Sequence, residues 1–175
     1  MIFEETTLAG AYLISTDKHT DNRGSFSRLF CAQEFSEIGL PDNFVQTNLS
    51  ENTKRFTLRG MHYQLPPLSE GKLISCISGH VFDVIVDIRA DSPTRYQYFS
   101  CELRAHDNKL LYVPAGLAHG FQTLEDNSSL HYGMTDFYKP GQDAGLRWDD
   151  PTIGIDWPTK NNIIISDKDA NLPTI

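Results

Sequence analysis

KLISCISGHVFDVIVDIR, residues 72–89, decides how the rest of the chain is read. It splits into two runs rich in β-branched residues, KLISCIS (Lys72 to Ser78) and VFDVIVDIR (Val81 to Arg89), with Gly79-His80 between them. Val and Ile are stiff at χ1 and sit better on a pleated surface than in a helix, and the short Gly-containing break marks a turn between two strands. In the second run Phe82, Val84, Val86 and Ile88 share one face while Asp83 and Asp87 take the other. That period of two predicts a half-buried strand with the acids outward. Similar short runs follow at close spacing: YFSCEL (Tyr98–Leu103), LLYVP (Leu110–Pro114), FQTLE (Phe121–Glu125) and SLHYGMTDFY (Ser129–Tyr138). The best helical segment is AQEFSEIG, with Phe35 and Ile38 three apart and Gly39 as a stop. Many short strands with little helix predict an all-β sandwich or barrel of jelly-roll type. No repeat or low-complexity linker interrupts it, so residues 1–175 read as a single domain.

The bulk properties narrow the function. A chain of 175 residues can bury a core of its own. Its formal net charge of -8 leaves no basic footprint for nucleic acid, so an anionic substrate needs a local cluster of Arg and Lys. No apolar run approaches the roughly 20 residues that cross a bilayer, so no membrane partner is expected. The opening MIFEETTLAG has acids where a signal peptide has a basic start and an apolar stretch. Cys31, Cys76 and Cys101 are odd in number and lack C-x-x-C spacing, which reads as reduced packing thiols in a cytoplasmic protein.

Two segments carry chemistry: RGMHYQLPP (Arg59–Pro67) and VPAGLAHGFQTL (Val113–Leu124). The second, with Pro114, Gly116 and His119, resembles the second conserved motif of the cupin superfamily. The first resembles the other cupin motif, but His62-Tyr63-Gln64 stands where metal-binding members have His-x-His. His62, His119 and Glu70 would make only a partial ligand set, so no metal is expected.

A closer resemblance runs through nearly the whole chain. Arg23-Gly24 with Phe26, FVQTN (Phe44–Asn48), LRGMHYQ (Leu58–Gln64), GKL (Gly71–Leu73) and GHVFDVIVDIRADSPT (Gly79–Thr94) look like the dTDP-4-dehydrorhamnose 3,5-epimerase family. So do VPAGLAHGF (Val113–Phe121), TDFYKP (Thr135–Pro140), RWDDPTIGIDWP (Arg147–Pro158) and ISDKDANLP (Ile165–Pro173), in the family's order. The resemblance implies a cupin-type jelly roll with a few short helices. It implies an epimerase that inverts C3, C5 or both in a nucleotide-linked 4-keto-6-deoxy sugar. It also implies a homodimer with exchanged N-terminal strands.

A ketone acidifies the hydrogens on its neighbouring carbons, so inversion needs a base, an acid on the opposite face and an enolate stabiliser, and no redox cofactor. By resemblance the base is His62, oriented by Asp169; the acid is Tyr132, and Lys72 faces the ketone oxygen. Arg23, Arg59, Gln46, Asn48, His119 and Lys168 match substrate contacts, and Tyr138 matches an aromatic that stacks on the nucleotide base. Tyr132 and Tyr138 share parity within one candidate strand. Arg59 and His62, three apart, would face opposite ways on a regular strand unless Gly60 marks a bulge.

The chain also departs from the family's pattern. Arg28 stands where substrate-contacting glutamate is usual, Asp143 replaces a glutamate, Gly133 a lysine and Ser25 an aromatic. Arg28 and Ser25 leave open the nucleotide or the neighbouring subunit contact, and Gly133 raises the prospect of a looser Tyr132. A metal-dependent cupin enzyme, a noncatalytic sugar-nucleotide binder and an epimerase acting at one carbon on a different nucleotide sugar are the alternatives.

Overall fold

The computed structural model describes residues 1–67 and 69–175. Its elements are β1 (Ile2–Glu5), β2 (Tyr12–Ser15), β3 (Lys18–Asp21), β4 (Gly24–Ser27), α1 (Ala32–Glu37), β5 (Gln46–Asn52), β6 (Leu58–Gln64) and β7 (Lys72–Ser78). They continue with β8 (His80–Asp87), β9 (Tyr98–Arg104), β10 (Lys109–Val113), β11 (Leu117–Thr123), β12 (Ser128–Met134), β13 (Asp143–Gly145) and α2 (Asp167–Ala170). Two antiparallel sheets, β1-β2-β10-β7-β12-β5 and β13-β6-β11-β8-β9, face one another, while β3 and β4 form a separate hairpin. Ile74, Cys76, Leu111 and Leu130 of the first sheet meet Val81, Ile85, Leu103 and Phe121 of the second in a common core. This is a jelly-roll sandwich.

β7 and β8 do not pair; the chain crosses from one sheet to the other between them, turning at Gly79, whose positive φ of 69° favours glycine. β8 corrects the expected polar face. Phe82, Val84 and Val86 pack outward against Leu146, Ile153, Ile155 and Trp157 of the later chain. Asp83 and Asp87 point to the other side and are both fully buried. Asp87 accepts from the Arg89 guanidinium at 2.6 Å, the Ser92 hydroxyl at 2.6 Å and the Thr94 hydroxyl at 2.7 Å, which compensates the lost hydration. Despite burial, those donors hold its carboxyl well below the usual carboxylate range.

Other boundaries also shift. β11 starts at Leu117 rather than Phe121 and so includes His119. β12 ends at Met134, so Tyr138 lies beyond the strand and the parity argument linking it to Tyr132 does not apply. The outer face of the larger sheet is covered by α1 and its flanks, where Phe35 meets Phe3, Phe30, Phe44 and Tyr112 edge-on.

Candidate active site

One side of the sandwich opens into a cleft with two adjoining lobes. The outer lobe, of ≈ 260 Å³, is lined by His62, Gln64, Glu70, Lys72, Tyr138, Asp143 and Lys168 among others. The inner lobe, of ≈ 220 Å³, is lined by Asn48, Ser50, Arg59, His62, Lys72, His119, Phe121 and Tyr132 among others. His62 and Lys72 line both, so the two lobes form one continuous site.

Sheet register explains why these side chains converge. His119 on β11 pairs with His62 on β6, and Phe121 pairs with Arg59. Two steps along β11 therefore match three along β6, which makes a bulge where Gly60 and Met61 stand against Gly120. The extra residue lets Arg59 and His62 face the same cleft. Gly60 has φ of 116°, and a Cβ there would lie 2.6 Å from Gly120 Cα, so only glycine fits. On the opposite sheet Lys72 pairs with Met134, and Tyr132 pairs with Asn48 on one side and Ile74 on the other.

His62 Nε2 donates to Asp169 Oδ1 at 2.8 Å, leaving Nδ1 for the cleft. Asp169 Oδ2 accepts the Gly60 N–H at 3.1 Å, and the Asp169 N–H is capped by Ser166 Oγ at 3.1 Å at the start of α2. Burial alone would raise the Asp169 pKa; the bonds from His62 and Gly60 outweigh it and hold the carboxyl below its ordinary value. Lys72 is buried, which pulls its pKa below the usual lysine range against the raising effect of Glu70 at 3.5 Å. Burial pushes the Tyr132 phenol well above its ordinary range, with Asp83 adding to the rise, so the hydroxyl stays protonated.

The remaining residues sort into those that join the cleft and those that do not. Arg59 Nε donates to Asn52 at 2.7 Å, and Gln46 donates to Asn48 at 3.1 Å. His119 Nε2 contacts both Asp83 oxygens at 3.0 Å, and its ring lies edge-on to Tyr132 at 5.9 Å. Asp143 accepts from Lys168 at 2.8 Å and Tyr138 at 3.4 Å, forming the outer rim. Arg23 and Arg28 line neither lobe: Arg23 binds Asp21 in the β3–β4 turn, and Arg28 binds Glu34 at 3.0 Å. Ser25 lies on the same exposed hairpin. Gly133 faces away from the cleft, where an added Cβ would lie 3.0 Å from the Phe44 ring, and the strand that carries it and Tyr132 is paired on both sides.

Asp83 and Asn52 support site residues without having been singled out from the sequence as such, and Gln64, read there only as the residue in place of a second ligand histidine, bonds Glu70. Asp83 was legible only as an acid in an apolar strand, and its partner lies 36 residues away. Among the described residues no three His, Cys, Asp or Glu converge as a metal site. Among those residues no helix is long and apolar enough to cross a membrane.

Comparison with known proteins adds the lineage. A family model described as dTDP-4-dehydrorhamnose 3,5-epimerase matches residues 5–175. A dTDP-4-dehydrorhamnose 3,5-epimerase of Sinorhizobium fredii is 41% identical over 175 residues, 100% of this chain and 90% of the relative. The crystal structure of the Bacillus anthracis enzyme with TDP and PPi bound superposes with a TM-score of 0.96 at 36% identity over 99% of each chain. A Legionella pneumophila dTDP-6-deoxy-D-glucose-3,5-epimerase in complex with dTDP-4-keto-L-rhamnose gives a TM-score of 0.93 at 36% identity, over 99% of this chain and 92% of that one.

Proposed function

The chain belongs to the dTDP-4-dehydrorhamnose 3,5-epimerase family, and from that premise we propose that it converts dTDP-4-dehydro-6-deoxy-D-glucose to dTDP-4-dehydro-L-rhamnose by proton transfer at C3 and C5. The observation that carries the reading is the His62–Asp169 pair, whose second ring nitrogen shares a cleft with Lys72 and the Tyr132 hydroxyl.

His62 Nδ1 removes the proton beside the ketone, and the electron pair moves through the new C–C double bond onto the ketone oxygen. Asp169 fixes the tautomer and favours the imidazolium that results. The Lys72 ammonium stabilises the enolate oxygen. Tyr132 O–H then returns a proton to the opposite face, and both groups reset by exchange with solvent. No electron leaves the substrate, so the chemistry is redox neutral. Arg59, its Nε bonded to Asn52, and Lys168 supply the cations for the diphosphate oxygens in this reading, and Tyr138 a face for the base. Gln46, Asn48, His119 and Asp143 complete the walls.

The family resemblance supports a homodimer in which the β3–β4 hairpin, with Phe26, Arg23 and Arg28 exposed, is covered by the partner; sedimentation tests this. The reaction itself is tested by incubating the protein with dTDP-4-dehydro-6-deoxy-D-glucose in deuterated water. Deuterium at C3 and C5 supports the reading, deuterium at one carbon makes the protein a mono-epimerase, and none removes the activity.

A further inference from the structure

Glu70 has no role in the chemistry above, yet it is 8% exposed at its side chain and directed at Lys72, itself 9% exposed. Its two oxygens are divided. Oε1 faces Lys72 Nζ at 3.5 Å, and Oε2 accepts from Gln64 Nε2 at 2.7 Å. Gln64 Oε1 in turn accepts the Lys139 N–H at 3.1 Å, beside Tyr138 on the rim. Lys72 Nζ also donates to the His62 carbonyl at 3.4 Å. The ammonium is thereby held between Glu70 and the backbone of the proposed base, with the cleft on its remaining side.

Such a pair is poorly explained by stability alone. A buried ion pair gains little over apolar packing once the desolvation of both ions is counted. A buried ammonium without a counter-ion, however, tends to shed its proton, and a neutral amine cannot stabilise an oxyanion by charge. We propose that Glu70 is a positioning residue which, anchored by Gln64, holds the Lys72 ammonium charged and aimed at the enolate oxygen. The role rests on the epimerase reading. Two other acids act on the pair: Asp83, bonded to His119, favours the charged lysine, and Asp136 adds to the charge facing Glu70. Burial drives Lys72 and Glu70 both toward neutrality, and each raises the other's tendency to ionise.

The test is Glu70→Gln, which keeps the shape and removes the charge, with Glu70→Asp as the charge-preserving control. Lysine labelled at 13Cε is titrated by NMR without substrate, and Lys72→Met assigns the signal. Lys72 titrates at lower pH in Glu70→Gln than in wild type, and Glu70→Asp lies between. With substrate, kcat of Glu70→Gln falls about tenfold, less than the roughly 100- to 1,000-fold loss typical of removing an oxyanion donor. KM stays within about twofold, because only transition-state stabilisation is weakened. The alkaline limb of kcat moves to lower pH. An unmoved Lys72 titration in folded Glu70→Gln overturns the proposal, and so does a moved titration with kcat and its alkaline limb unchanged. A wild type that incorporates no deuterium fails the epimerase reading, while the substrate-free titration still decides the Glu70–Lys72 coupling.

Discussion

His62 and His119 are direct partners across neighbouring strands, and each ring meets an aspartate through Nε2, but the two pairs differ in exposure and in how the carboxylate is used. The His62 side chain is 43% exposed and uses one Asp169 oxygen, the other being held by a backbone N–H. The His119 side chain is 6% exposed, and its Nε2 lies 3.0 Å from both oxygens of a fully buried Asp83. An exposed ring with one nitrogen committed can pass a proton to a ligand. A buried ring clamped to a carboxylate instead props the wall on which Tyr132 rests. The same two residue types thus stand half open to a cleft in one place and sealed in the wall in the other, and the proposed division into a proton carrier and a prop follows that difference in burial.

The contrast can be broken most directly at His62. His62→Ala should cost about 100- to 10,000-fold in kcat and abolish deuterium entry at both carbons, with little change in melting temperature. Near wild-type turnover would move the base elsewhere. His119→Ala should show the reverse emphasis. It leaves a buried carboxylate without its partner, a loss of roughly 3–5 kcal/mol. In a chain of this size that lowers the melting temperature by about 6–20 °C in calorimetry. A stable His119→Ala would mean that Asp83 finds other support.

Tyr132→Phe sharpens the comparison because that ring touches His119 while its hydroxyl is the proposed proton donor. Inversion should fall about 100-fold while deuterium still enters with retention, as read from product stereochemistry. Normal inversion would make Tyr132 a packing residue. The smallest effect is on acid stability. Asp169 has a folded pKa below its ordinary value near 3.8, so its contribution is complete above that pH and is lost as pH falls through the folded value. The difference in urea midpoint between wild type and Asp169→Asn should therefore shrink on going from neutral to strongly acid solution. A constant difference would show that the carboxylate's charge does not stabilise the fold.

How much of this could be read from residues alone follows the same division. Strands β7 and β8 were legible because their side chains are apolar at strand spacing, although nothing in that spacing shows that they lie in opposite sheets. Strands β5 and β6, QTNLSEN and LRGMHYQ, gave no such signal because their inward positions carry site residues rather than core. Alternation puts Asp83 and Asp87 opposite the apolar face, where isolated acids normally meet solvent. They are buried because donors from distant segments meet them, which alternation cannot reveal. Asp169 was recognisable through family resemblance and not through spacing, since 107 residues separate it from His62.

The bulge in β6 leaves the cleft with a member that side-chain mutagenesis does not see. Gly60 contributes no atoms beyond its backbone, yet its amide, released from the strand ladder, grips the Asp169 oxygen that His62 leaves unused. Alanine scanning reads this position as a steric clash, because any Cβ collides with Gly120. The informative change is to the backbone itself. An ester in place of the Gly60 amide would keep every side chain and the residue count while erasing one donor. It would thereby separate the shape of the site from the alignment of its acid.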